Sequence, residues 1–208
     1  MKKEHVLAVL FFSGLWGFSE AILGDALYRA DVRYASVPLT VIGLCVLSFA
    51  WANLPQAGTA TLIAACAMLY KFLNTPFFAC HLLGILLMGI CFDLLFGALK
   101  MKNRSLAALL TAYLSYGSFA LMITYAFRYE FWRQAGITKV LTHVGIDGSM
   151  AAAACAVLVP LSFRLAERLK ASLASEMGLS GRFAAGSVSA ATIGLWAFGV
   201  AAFFLSYV

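Results

Sequence analysis

The sequence predicts an all-α fold, a polytopic transmembrane helical bundle of six to seven spans with its N-terminus in the cytoplasm. Composition is the first sign. Of 208 residues, 63% are hydrophobic and only 12% charged, whereas soluble domains are about half apolar and about a quarter charged. The second is a mean hydropathy of +0.91. The third is the length of the apolar runs, close to the ~20 residues that cross a ~30 Å hydrocarbon layer. Seven such runs occupy ~140 residues, so the chain reads as one integral membrane domain, 1–208.

The first span covers 5–24. Met1-Lys2-Lys3 is a basic start, but the apolar stretch behind it ends at Asp25 with no small-x-small cleavage site, which predicts a retained helix. A polar connection, Asp25 to Val37, holds Asp25, Arg29, Asp31 and Arg33. The second span, 38–54, stops at Pro55-Gln56-Ala57-Gly58, a tight turn by its Pro and Gly content. The third, 59–73, carries Lys71 near its end, where a long side chain reaches the interface. Asn74-Thr75-Pro76 breaks it.

The fourth span, 77–99, is closed by the basic cluster Lys100, Lys102 and Arg104. The fifth, 105–127, precedes a long polar, loop-like segment from Arg128 to Ser149 with Tyr129, Trp132 and His143. The sixth, 150–165, is interrupted by Pro160. A basic loop, Glu167 to Arg182, leads to the last, 186–207. Six crossings result if the second and third runs, joined by a four-residue turn, form one re-entrant unit.

Charge sets the expected orientation. With the N-terminus inside, inner segments hold nine basic residues and outer segments six, a bias in the positive-inside direction. Aromatic residues such as Tyr34, Phe77, Phe78, Phe127, Phe131 and Trp132 gather at the proposed outer boundary, as rings settling at headgroup depth do. The net charge of +6 is scattered between spans, which reads as a topology signal and not as a nucleic-acid footprint.

The chain has no H-E-x-x-H, G-x-S-x-G or P-loop, and no enzymatic activity is expected. Gly14-x-x-Gly17 lies within a helix and cannot cradle phosphate as a loop would. None of the five cysteines forms a C-x-x-C pair, and all read as small apolar residues. His81 and His143, both placed outside, are the two histidines that could share a haem or metal; the sequence predicts no metal site and identifies no cofactor.

Ionisable residues inside a bilayer are costly, so each is a candidate for function. Glu20 lies ~6 Å below the outer end of the first helix, a depth the Lys71 side chain can reach from the third. A Glu20–Lys71 contact with Asn74, His81 and Trp16 nearby makes a polar, outward-opening binding pocket; an internal ion pair joining two helices is the plainer reading. Asp93 is expected to pair with Lys100 or with an inner arginine such as Arg164.

Three stretches carry a family resemblance: Leu15-Trp16-Gly17-Phe18-Ser19-Glu20-Ala21-Ile22-Leu23-Gly24, Lys71-Phe72-Leu73-Asn74-Thr75-Pro76, and the apolar fourth helix up to Asp93. They resemble small bacterial membrane proteins related to the substrate-binding (S) components of energy-coupling factor transporters. The likeness covers about the first hundred residues and the overall size. It implies a substrate-capturing uptake subunit in the bacterial cytoplasmic (inner) membrane, taking a vitamin or metal ion from outside. A transmembrane coupling subunit with cytoplasmic ATPases would be its partner, and Asp25 to Val37 its lid.

Departures are visible too. Such components have six spans against seven runs here. Where they often carry Ala-x-x-x-Ala for docking, Ala8 is followed four places on by Phe12. Ser13-x-x-x-Gly17-x-x-x-Ala21 supplies a small-residue partner interface instead. Two other classes remain open: a structural or assembly subunit of a larger membrane complex, and a haem- or quinone-binding redox subunit.

Overall fold

The computed structural model describes residues 3–73, 79–176 and 181–206. All secondary structure among the described residues is helical. Five helices, within His5–Leu27, Ser36–Asn53, Cys80–Ala98, Arg104–Ala126 and Glu130–Ser172, are long and apolar enough to cross a membrane; Thr59–Lys71 and Val188–Ala201 are shorter apolar helices.

Helix α1 (Lys3–Arg29) runs past the predicted end of the first span, held by an Arg29–Asp25 ion pair at 2.8 Å. It closes at Asp31, whose left-handed φ of 50° lets the Val32 amide donate to the Leu27 carbonyl. The predicted polar connection thus shrinks, because α2 (Ser36–Asn53) already includes Val37. Gly58 turns the chain with φ 88°, a conformation that suits glycine, before α3 (Thr59–Ala67). A 3₁₀ turn, Met68–Leu73, extends α3 and presents Lys71.

Helices α4 (Ala79–Phe92) and α5 (Arg104–Leu121) end alike. Each widens into a π turn, Asp93–Ala98 and Met122–Ala126, and then exits through a left-handed residue, Lys100 or Arg128. Asn103 caps α5 by accepting the Leu106 amide at 3.0 Å.

The segment expected as a polar loop is helical instead. Helix α6 (Glu130–Thr142) passes through a π turn, His143–Gly148, directly into α7 (Ser149–Glu176). A break at Gly136 (φ 59°, ψ −151°) splits α6. The expected basic loop from Glu167 is likewise mostly helix, since Ala, Leu, Lys, Arg and Glu are strong helix formers. Helix α8 (Gly181–Ser206) follows.

Helix α7 packs on α2 and α5, α4 on α3 and α5, and α1 on α2, α3 and α8. The core joins Leu44, Leu47, Ile63, Phe92, Val159 and Phe163 with small residues such as Ala64 and Ala107. The surface departs from the soluble pattern. Large apolar side chains of α7 and α8 (Val157, Leu161, Leu165, Ile193, Phe198) face outward, while Glu20, Thr40, Ser48, Lys71, Asp93 and Thr111 are buried. Several serine and threonine hydroxyls are satisfied within their own helices: Ser48 donates to the Leu44 carbonyl and Thr111 to that of Ala107, each at 2.7 Å. An apolar exterior is the arrangement a hydrocarbon solvent selects.

Asp93 does not pair with Lys100 or Arg164. Its carboxylate accepts the Ala60 amide at 3.3 Å, the Thr61 amide at 2.7 Å and the Thr61 hydroxyl at 2.6 Å. It therefore caps α3 from a neighbouring helix, where unpaired amides attract negative charge. At that end of the bundle the basic residues find other partners: Arg104 meets Glu167 at 2.6 Å, and the Lys170 ammonium donates to the Ala52 carbonyl at 3.3 Å.

Candidate binding cavity

Glu20 and Lys71 come together. The Lys71 ammonium lies 3.2 Å from the Glu20 carboxylate, with both side chains less than a tenth exposed. It also donates to the backbone carbonyl of Glu20 at 3.0 Å. The 3₁₀ turn after α3 aims the lysine across at α1, and Gly24 leaves room for the ammonium.

Beside this pair is a cavity of about 370 Å³, at the small end of the ~300–1,000 Å³ usual for small-molecule pockets. His81, Gly84 and Met88 of α4 line it, with Leu39 and Thr40 of α2 and Tyr116 of α5. The Thr40 and Tyr116 hydroxyls share a hydrogen bond at 3.2 Å.

The same cavity has an aromatic wall. The His143 ring lies 4.8 Å from Tyr116, 5.1 Å from Trp132 and 5.7 Å from Phe119, centre to centre. His143 Nδ1 is 2.9 Å from the Asp147 carboxylate, a hydrogen bond that orients the ring. Trp132 and Val140 anchor α6 in a small cluster with Ala120 and Ile123. Lys139, also on the lining, has its ammonium 5.4 Å from the Phe131 ring centre and 5.6 Å from that of Trp132. Arg33 lines the cavity from the α1–α2 connection.

The sequence-predicted site residues therefore divide. Glu20, Lys71 and His81 line one cavity, and Asn74 lies outside the described residues. Trp16 is not on the lining. It is fully buried and packs on α2 at Gly43, where a Cβ would come within 2.8 Å of the indole. Its size and amphipathic ring suit a binding residue equally well as a packing one, and only the neighbouring glycine distinguishes them.

The small-residue face of α1 is also occupied within the chain. Ser13 is buried, with its hydroxyl donating to the Leu10 carbonyl at 3.1 Å. A Cβ at Gly17 would overlap the Tyr70 ring, and Ala21 is half-buried. Next to them, the Trp196 indole of α8 donates to the Leu10 carbonyl at 3.0 Å. Ser13 and Gly17 thus take part in helix packing within the chain.

His81 and His143, the two histidines that could share a haem, do line the same cavity, and His143 belongs to a helical segment and not to a loop. Among the described residues no three His, Cys, Asp or Glu side chains cluster as a metal site.

The fold and cavity define a class: an all-helical protein with helices long and apolar enough to cross a membrane and a partly open cavity lined by charged groups. No family model, no curated protein and no solved structure matches the chain.

Proposed function

We propose that this protein is a substrate-capturing subunit of an uptake system in a bacterial cytoplasmic membrane, binding a small molecule in the cavity between α1, α2, α4, α5 and α6. One observation carries the reading. A carboxylate and an ammonium, 51 residues apart in sequence, are buried among apolar helices and yet border open space. An ion pair serving only to join two helices gains from close packing around it, because every gap forfeits contacts. A cavity edged by charge instead suits a polar ligand that replaces its water with fixed partners.

The cavity end coincides with the poorer of the two ends in basic residues by sequence, which supports a mouth on the outer face. Energy for release into the cell would come from a coupling subunit with cytoplasmic ATPases. Because the small-residue face of α1 is partly occupied within the chain, docking draws on other helices as well.

The test is mass spectrometry of small molecules carried through detergent extraction. Wild-type protein retains a ligand. The Glu20→Gln/Lys71→Met variant, which removes both charges together, loses it while eluting as a folded monodisperse species. Equal retention in that variant removes the pair from the site. The redox reading keeps one specific observation, two histidines on one cavity, and a haem absorption band from the pure protein would favour it instead.

A further inference from the structure

We propose that the cavity takes a small, planar aromatic anion, its ring against the α5–α6 aromatic wall and its acidic group at Arg33 and Lys139; this rests on the capture reading above. The case begins with the charges that face the space. They are Glu20, Lys71, Arg33, Lys139 and Asp147, with His81 and His143. Glu20 is paired with the Lys71 ammonium, whereas Asp147 is hydrogen-bonded to His143, an imidazole that leaves the carboxylate its charge unless the ring is protonated. Among the described residues no carboxylate lies in a salt bridge with Arg33 or Lys139.

Arg33 and Lys139 instead lie beside rings, Arg33 5.4 Å from the centre of Tyr34 and Lys139 beside Phe131 and Trp132. Such contacts hold a cation in place without neutralising it, so each retains the capacity to bind a carboxylate or phosphate. Three side-chain cations, Lys71, Arg33 and Lys139, face two carboxylates, Glu20 and Asp147, and this excess of positive charge favours an anion over a cation.

The shape of the ligand follows from the aromatic wall. Tyr116, Phe119, Trp132 and His143 offer ring faces and edges, and aromatic pairs gain from offset or edge-on contact beyond their buried area. Leu39, Ile85 and Met88 complete an apolar floor. A flat ring fills such a space better than a chain or a bulky saturated ring.

Equilibrium dialysis of the full chain in uncharged detergent, against protein-free micelles, tests the proposal with four matched probes. These are 2-naphthoate, neutral 2-naphthamide, 2-naphthylmethylammonium and the saturated decahydro-2-naphthoate. The expected result is that 2-naphthoate binds at least about tenfold more tightly than each of the others. Arg33→Gln/Lys139→Gln abolishes its advantage over 2-naphthamide and leaves 2-naphthamide unchanged. Equal or tighter binding of the ammonium or the saturated acid overturns the ligand class while capture stands. Binding of none of the four overturns the class as well, and a wild-type extract carrying no small molecule then overturns capture too.

Discussion

The Lys71 ammonium holds Glu20 twice, through the carboxylate at 3.2 Å and through the same residue's backbone carbonyl at 3.0 Å. Removing either side chain alone leaves a charge in a largely apolar interior, and breaking a buried pair costs about 3–5 kcal/mol. Glu20→Gln and Lys71→Met are each expected to lower the thermal midpoint in detergent sharply. The double variant is expected to recover more than half of the combined loss, since no lone charge remains. Additive losses in a double-mutant cycle would show that the two groups are not coupled.

Asp93 supplies the second prediction. Three donors, the amides of Ala60 and Thr61 and the Thr61 hydroxyl, converge on its carboxylate. Asp93→Ala orphans them at a buried helix start, at a cost of about 1–3 kcal/mol. Asp93→Asn keeps an acceptor and is expected to lose less. Lys100→Ala and Arg164→Ala are expected to leave the thermal midpoint near wild type. A large drop in either would restore the ion pair that the sequence suggested.

How far the site could be read from sequence depended on the residue. Glu20, Lys71 and His81 stood out because charge or imidazole within an apolar run is expensive and conspicuous. His143 is visible in the sequence as the one histidine able to share a site with His81, but Trp132, Lys139 and Asp147 are hidden as site residues because their segment is polar enough to pass for a loop. The spacing of all four still follows a helical face, separated by seven, four and four residues, and that pattern was the available signal. Asp93 was assigned the wrong partner because a cap formed between helices depends on tertiary geometry. Backbone amides carry no sequence signature.

Helix approach yields a third prediction, comparing one substitution at two glycines. A Cβ on Gly89 would lie 2.5 Å from the Ala64 Cβ and 2.8 Å from the Ala60 carbonyl oxygen, so α3 and α4 would have to separate. Overpacking of this kind costs about 1–3 kcal/mol. A Cβ on Gly117, in α5, meets nothing within 4 Å, and alanine there gains up to about 1 kcal/mol in helix propensity. Gly89→Ala is expected to lower the midpoint of heat-induced aggregation, and Gly117→Ala to hold or raise it. The reverse order would mean that α3 and α4 do not pack as closely as described.

Cys80 lines the cavity and is half-buried, which makes it a native reporter of where the mouth opens. Replacing Cys45, Cys66, Cys91 and Cys155 by alanine leaves it as the sole thiol. In intact cells, a membrane-impermeant sulfonatoethyl methanethiosulfonate is expected to modify Cys80. Its cationic trimethylammonium counterpart is expected to react more slowly, each rate being normalised to that with free cysteine. The difference follows from Arg33 and Lys139, which attract the anion and repel the cation, and added salt should narrow it by screening. Labelling confined to inverted vesicles would place the mouth on the cytoplasmic side and reverse the direction of capture. Equal normalised rates for the two reagents would mean that the two cations do not govern what enters.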